Sequence, residues 1–271
     1  MLIGPLSLVD VLFLLAPIVV VPLGLRVVPV RGKIAARLVR AARLIQPVGA
    51  ALALVSFLLP TGAVAALVAV GWLVVCALAG VAGLSELLET RSLLPAAALG
   101  FLTIGGAWLV AYRAGLYLGY GPTIAELTAV HFHFAGFGAT LMSALAFDRL
   151  HSRVSGGAGL LVIVGTPLTA AGFALGVGAL YVAGPILLAI GLLTNAALTT
   201  FVIAPRTPAA ARWLLTISSI TVIIPMLLGL DFALARVFPI PALDLRTMAI
   251  VHGNLNAVAY ALVGLVGWNM V

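Results

Sequence analysis

From Gly62 to Leu84 the chain reads GAVAALVAVGWLVVCALAGVAGL, a run without a single charged side chain. A helix needs about 20 mainly apolar residues to cross a bilayer core, and this stretch supplies them. The same texture extends in both directions. Of 271 residues, 64% are hydrophobic and 8% charged, against roughly 25% charged in an ordinary soluble domain. No water-soluble fold hides that much apolar surface, so the expected class is an all-α, polytopic transmembrane helical bundle.

About nine such runs are separated by Pro, Gly or charge, at roughly 7–28, 42–59, 62–84, 92–117, 122–147, 157–177, 179–203, 208–236 and 246–270. Short breaks such as Pro60-Thr61-Gly62 make the flanking helices antiparallel neighbours. Fourteen basic residues against seven acidic ones give a net charge of +7. With the N-terminus outside, alternation puts Arg26, Arg31, Lys33, Arg37, Arg40, Arg43, Arg91, Arg149, Arg153, Arg206 and Arg212 on the cytoplasmic side and only Arg113, Arg236 and Arg246 opposite. Lys and Arg accumulate in cytoplasmic loops, so the expected topology is nine spans, N-terminus out and C-terminus in. The positive charge thus reflects topology. No basic stripe with interleaved aromatics suggests nucleic acid.

Between Arg31 and Arg43 the basic residues are irregularly spaced and read as a solvated loop, with an amphipathic surface helix against anionic lipid as the alternative. The lone Cys76 lies inside an apolar run, which leaves no disulfide framework and reads as a small buried hydrophobe. The first apolar run has no basic region before it and no small-residue cleavage site after it, so it reads as a retained helix. No domain boundary or internal repeat is evident, and residues 1–271 read as one helical domain. Without an inverted repeat, the case for a transporter is weaker.

Ionisable groups inside spans are costly and normally face a partner or a cavity. The fifth run carries Glu126 and then His131-Phe132-His133-Phe134-Ala135-Gly136-Phe137. On a regular helix of about 100° per residue, Glu126 and His133 share a face, while His131 and His133 point about 200° apart and cannot chelate one ion together. The ninth run carries His252-Gly253-Asn254-Leu255-Asn256-Ala257, with His252, Asn256 and Tyr260 on one stripe. In the expected topology both motifs lie between the outer surface and the midplane, where they can share one polar chamber. Asp231, Asp10, Tyr112 and Arg113 reach the same layer, while Glu86 and Glu89 sit at the inner end of the third run, in reach of Arg91.

The stretches His131–Phe137 and His252–Ala257 resemble the two signature regions of the YndJ-like family of bacterial membrane proteins. That resemblance extends from the fifth run onward and implies a helical protein of the bacterial-type cytoplasmic membrane; it points to no particular activity. In size, class and buried carboxylates the chain also resembles, more loosely, the small membrane-bound terpene cyclases of meroterpenoid pathways.

Three functions compete. A cyclase that protonates an alkene or epoxide of a lipophilic prenyl substrate needs an acid in a dry pocket, aromatic faces and a final base. Glu126 or Asp231 would be the acid; His131, His133 or His252 would tune it or take the last proton, with Asn256 orienting an imidazole. Trp108, Tyr112, Phe132, Phe134, Asn254 and Tyr260 would line the substrate. No DDxxD or DxDD pattern occurs, so diphosphate loss is not expected, nor any metal or cofactor. A transporter or channel would use the same groups as a proton relay running from Glu126 towards Glu86 and Asp148. A bis-histidine haem or metal site would set His131 or His133 against His252, but no ligand spacing supports it. The expected partners are a lipophilic small molecule and membrane lipid. The reading favours the enzyme.

Overall fold

The computed structural model describes residues 2–3 and 6–271, with side chains from residue 6 onward. Among the described residues nine helices are long and apolar enough to cross a membrane. They are α1 Leu8–Val27, α2 Lys33–Leu58, α3 Ala63–Thr90, α4 Leu93–Ala114, α5 Pro122–Leu150, α6 Arg153–Leu175, α7 Gly178–Arg206, α8 Ala209–Leu234 and α9 Leu245–Trp268. Each of the nine expected runs overlaps one of these helices. A short antiparallel pairing of Leu2–Ile3 with Leu6–Ser7 precedes α1. The chain divides into two compact units, Met1–Gly138 and Ala139–Val271, and the division falls inside α5.

The centre of the first unit is α3, packed between α2 and α4. Lipid tails are as apolar as leucine, so helices associate there by close approach, which small residues permit. Ala65, Ala69, Ala79 and Ala82 of α3 are fully buried. A Cβ on Gly83 would stand 2.5 Å from the Ala96 carbonyl oxygen, and one on Gly49 would stand 3.0 Å from that of Gly71. The opposite face of α3 exposes Leu67, Val74, Val81 and Leu88, as a lipid-facing surface should.

At its start, α2 departs from expectation, since it is helical from Lys33 rather than from about residue 42, so the basic segment is not a loop. Two carboxylates from the end of α3 explain this. Glu86 accepts from the backbone N–H of Arg31 at 3.0 Å and of Gly32 at 2.8 Å, and Glu89 accepts from Ile34 at 3.1 Å and Ala35 at 3.2 Å. The first turn of a helix has four N–H groups without intrahelical partners and a partial positive charge, and carboxylates satisfy both. The expected pairing of Glu86 and Glu89 with Arg91 therefore gives way to a cap, and Arg91 instead ends α3 in the left-handed region at φ 63°.

In the second unit α6 and α7 form a hairpin joined by glycines seven apart, Gly165 and Gly172 on one helix and Gly184 and Gly191 on the other. A Cβ on Gly165 would stand 2.6 Å from the Leu188 backbone nitrogen, and one on Gly191 2.7 Å from the Ala158 carbonyl oxygen. The backbones of the two helices are thus in direct contact. The C-terminal part of α9 packs on α8.

Four π-helical stretches interrupt the spans: Ala16–Val20, Phe132–Ala139, Thr199–Ile203 and Leu255–Leu262. In hydrocarbon a displaced backbone group must find a partner. Buried Gln46 of α2 supplies one, donating from Nε2 to the Pro17 carbonyl at 2.5 Å.

Candidate functional site

Three helix ends of the first unit bring ionisable groups together. Ser7 caps α1 in a reciprocal box: its Oγ accepts from the Asp10 N–H at 3.0 Å, and Asp10 Oδ2 accepts from the Ser7 N–H at 2.6 Å. Pro122 opens α5, and Glu126 follows one turn later, 7% exposed. At the other polarity, Tyr112 and Arg113 occupy the last turn of α4 before Gly115 ends it at φ 76°. Acids near helix N-termini and a base near a C-terminus each suit the local dipole.

Arg113 is buried and fixed. Its Nη2 donates to the Leu59 carbonyl at 2.6 Å, and its guanidinium lies 5.2 Å from the Phe57 ring centre and 5.5 Å from that of Tyr112. Its carbonyl in turn accepts from the Gly62 N–H at 2.8 Å, so the α2–α3 turn is held at two points by one residue. The Glu126 carboxyl interacts electrostatically with Asp10, Tyr112 and Arg113. Yet its Oε1 is buried without a well-formed hydrogen bond among the described residues, and so is Arg113 Nε. Leaving one such group unsatisfied costs about 1–3 kcal/mol. A cluster that keeps both an orphan acceptor and an orphan donor is a candidate for chemistry rather than for packing.

The two histidines of α5 differ. His131 lies on the exposed face, with Nδ1 at 3.0 Å from the Leu127 carbonyl. His133 is fully buried, with Nε2 accepting from Trp72 Nε1–H at 2.9 Å and Nδ1 at 2.8 Å from the Ala129 carbonyl. Tryptophan only donates, so the imidazole carries its hydrogen on Nδ1. Phe13 meets the ring edge-on at 5.0 Å between centres, Cys76 Sγ lies 4.0 Å from Nε2, and Gly105 leaves no room for a Cβ beside Nδ1. Both nitrogens are therefore engaged, and the ring ties α5 to α3. Phe132 and Phe134 are buried, the former 5.8 Å from Phe101, while half-buried Trp108 faces Tyr120 at 6.5 Å. The regular-helix geometry expected around these residues does not apply beyond His131, because α5 turns π-helical at Phe132.

In the second unit, His252 approaches α8, its Nδ1 lying 2.8 Å from the Pro225 carbonyl. Gly229 makes the approach possible, since a Cβ there would stand 3.1 Å from the ring. Asn256 donates to the backbone carbonyl of His252 at 3.1 Å, and Asn254 donates to the Ile250 carbonyl at 2.6 Å. These amides serve carbonyls where α9 becomes π-helical. Asp231 is half-buried on α8, and Tyr260 is buried, its carbonyl accepting from Ser218 Oγ at 2.7 Å. Among the described residues no group of three or more His, Cys, Asp or Glu is arranged to hold a metal ion.

Sequence reasoning placed Asp10, Tyr112, Arg113 and Asp231 in one outer layer with His131, His133, His252 and Asn256; of these, the structure sets Asp10, Tyr112 and Arg113 around Glu126. Sequence reasoning overlooked Trp72, the polar partner of His133, and Asn195, which donates to Ser143 Oγ and whose lone amide in an apolar run was the available signal.

These features define a polytopic helical protein, with spans of membrane-crossing length and a cluster of ionisable side chains buried at three helix ends. The chain belongs to the YndJ-like protein family, which matches residues 11–260. The match reaches well before α5, where the motif resemblance began. No curated protein and no solved structure matches the chain.

Proposed function

We propose that this YndJ-like chain is a membrane-embedded enzyme, a cyclase that protonates a lipophilic prenyl substrate of meroterpenoid type without loss of diphosphate. The reading rests on one observation: the buried Glu126 carboxyl, with an unpartnered Oε1, beside Asp10, Tyr112 and Arg113. Its looser support is the similarity in size and class to small membrane-bound terpene cyclases. The positive-inside bias orients the chain with its N-terminus outside a bacterial-type cytoplasmic membrane. The cluster then lies at the outer ends of α1, α4 and α5, where a substrate dissolved in that leaflet has access.

In this scheme the Glu126 carboxyl gives its proton to an alkene carbon or epoxide oxygen, and the substrate becomes a carbocation. Arg113 and Tyr112 hold the carboxylate left behind through charge and hydrogen bonding. Ring closure consumes the alkene electrons, and loss of a proton from carbon to the carboxylate restores the acid. The product is an isomer of the substrate, so no oxidant or reductant enters. His133 holds α5 to α3 and moves no proton. The competing reading, a transporter or channel relaying protons through His, Glu and Asp, would need Glu86 as a carrier. Glu86 is occupied in capping α2.

The test is to feed membranes containing the protein with farnesylated and epoxidised prenyl aromatics. Cyclised product is expected with the natural sequence, with at least about a tenfold loss in Glu126→Gln. Equal product from Glu126→Gln overturns the site. Absence of any product, with proton-coupled uptake by proteoliposomes, overturns the enzyme in favour of the transporter.

A further inference from the structure

The basic segment that opens α2 lies at the opposite end of that helix from the contact between Arg113 and Leu59, and the scheme above makes no use of it. With 26 residues, α2 is about 39 Å long at 1.5 Å per residue, against a hydrocarbon core of about 30 Å. Its first turns therefore exceed what the core needs. At about 100° per residue, Lys33, Arg37 and Arg40 fall within a sector about 60° wide. Leu44, Val48, Ala51, Val55 and Leu58 continue the same stripe to the far end of the helix. All of these side chains are exposed, Leu44 by 79%. One face of one helix thus changes from cationic to apolar between Arg40 and Leu44, a single turn apart.

Within the chain itself this placement is unfavourable. A helix N-terminus bears partial positive charge, which disfavours cations in the first turns. Lys33 with Arg37 and Arg37 with Arg40 are like-charge pairs at i,i+4 and i,i+3, which repel on the helix surface. Glu86 and Glu89 do reach the segment, but their carboxylates are engaged by the backbone N–H groups of Arg31, Gly32, Ile34 and Ala35. The inward face of these turns is occupied by buried Ala35, Val39 and Ala42, so the cations are turned outward. An anion supplied from outside the chain would relieve the repulsion among them.

We propose that this face of α2 is a binding site for an anionic phospholipid of the leaflet that borders it, the inner one under the positive-inside reading. The lipid phosphate seats against Arg37 and Arg40, whose guanidinium groups donate to phosphate oxygens in pairs, and Lys33 adds a charge one turn further out. The acyl chains run along Leu44 and Val48. The occupant is a lipid rather than a soluble phosphate because the apolar stripe begins one turn beyond the last cation, about 6 Å along the axis, and a single amphiphile spans both. Its headgroup carries net negative charge, since the ammonium of a zwitterionic headgroup would meet the same cations.

The test is native mass spectrometry of the purified full chain, released from neutral detergent micelles that hold phosphatidylglycerol and phosphatidylcholine with identical acyl chains. Preferential retention of phosphatidylglycerol is expected. The preference should fall at least about tenfold when Lys33→Gln, Arg37→Gln and Arg40→Gln are combined, since each basic residue near the membrane surface contributes about fivefold. Arg153→Gln, Arg206→Gln and Arg212→Gln, combined in a second variant, remove the same charge from exposed positions of the second unit and should leave the preference intact. An unchanged preference in the α2 variant, or an equal loss in both variants, overturns the site. Equal retention of the two lipids by the natural chain overturns it whether or not the variants fold. Displacement of the lipid by inorganic phosphate or polyglutamate at matched ionic strength does so too, because the occupant would then be a soluble anion or an acidic protein.

Discussion

Trp72 of α3 donates its indole hydrogen to Nε2 of His133 of α5 at 2.9 Å, and with that bond the tautomer of a fully buried imidazole is set. The ring stacks against the indole at 24° and meets Phe13 edge-on, so residues from α1, α3 and α5 close around it. A histidine enclosed in this way, both nitrogens occupied, acts as a polar joint between spans. In the proposed scheme, proton chemistry in the first unit therefore falls to the carboxyl cluster.

Trp72→Phe keeps the packing and removes the donor. It leaves His133 Nε2 buried without a partner and is expected to cost about 1–3 kcal/mol. The measurement is unfolding in mixed micelles. Its companion readout is the histidine side-chain nitrogen resonance, which should move for His133 alone. A variant as stable as the natural chain would show that the bond contributes nothing.

Glu86→Ala frees the N–H groups of Arg31 and Gly32 at a fully buried position and should destabilise the protein by about 1–3 kcal/mol. Exposed Glu89→Ala should cost less, about 0.5–2 kcal/mol, the usual range for a lost cap. Amide hydrogen exchange localises the effect: faster exchange confined to residues 31–36 in both variants is the expected pattern. Protection unchanged there would mean that α2 starts at Lys33 for another reason.

Gly184→Ala tests the α6–α7 contact. The new methyl would collide with the Thr169 backbone, and neither helix can yield without moving as a whole. Overpacking of this kind costs about 1–3 kcal/mol. Gly176→Ala has open space but strained backbone at φ 65°, so it separates strain from collision. Thermal midpoints of the two variants, compared with Gly157→Ala, where nothing stands within 4 Å, give the ranking. Gly184→Ala as stable as Gly157→Ala would contradict direct backbone contact.

Asp244 caps α9 from outside the span, accepting from the Thr247 hydroxyl at 2.6 Å and the Thr247 N–H at 3.0 Å. Those bonds, the hydroxyl first, hold its carboxyl below the ordinary aspartate range. A folded value below the unfolded one, about 3.9, means the stabilisation is complete above the unfolded value and is lost as pH falls through the folded value. Asp244→Asn retains a capping oxygen and removes the titration. Unfolding midpoints followed from about pH 5 downward should therefore fall less steeply in the variant than in the natural chain.

Spans were legible because the bilayer is a uniform solvent, and length with apolarity suffices to satisfy it whatever the neighbours are. That is why the runs around Trp72, Leu102 or Leu188 stood out without any tertiary information. That Asp10, Tyr112 and Arg113 could meet was legible for a related reason, since counting residues along alternating spans yields an expected depth. Depth carries no partners, however. That Glu86 and Glu89 would cap α2, that His133 would meet Trp72, and that the amide of Asn195 would donate to Ser143 all depend on which helix faces which. Those facings are set by glycine contacts and by π-helical turns that rotate a side chain off the regular wheel. Two of these stretches have a carbonyl served from another helix, Pro17 by Gln46 and Tyr260 by Ser218, and no local pattern announces such a partner.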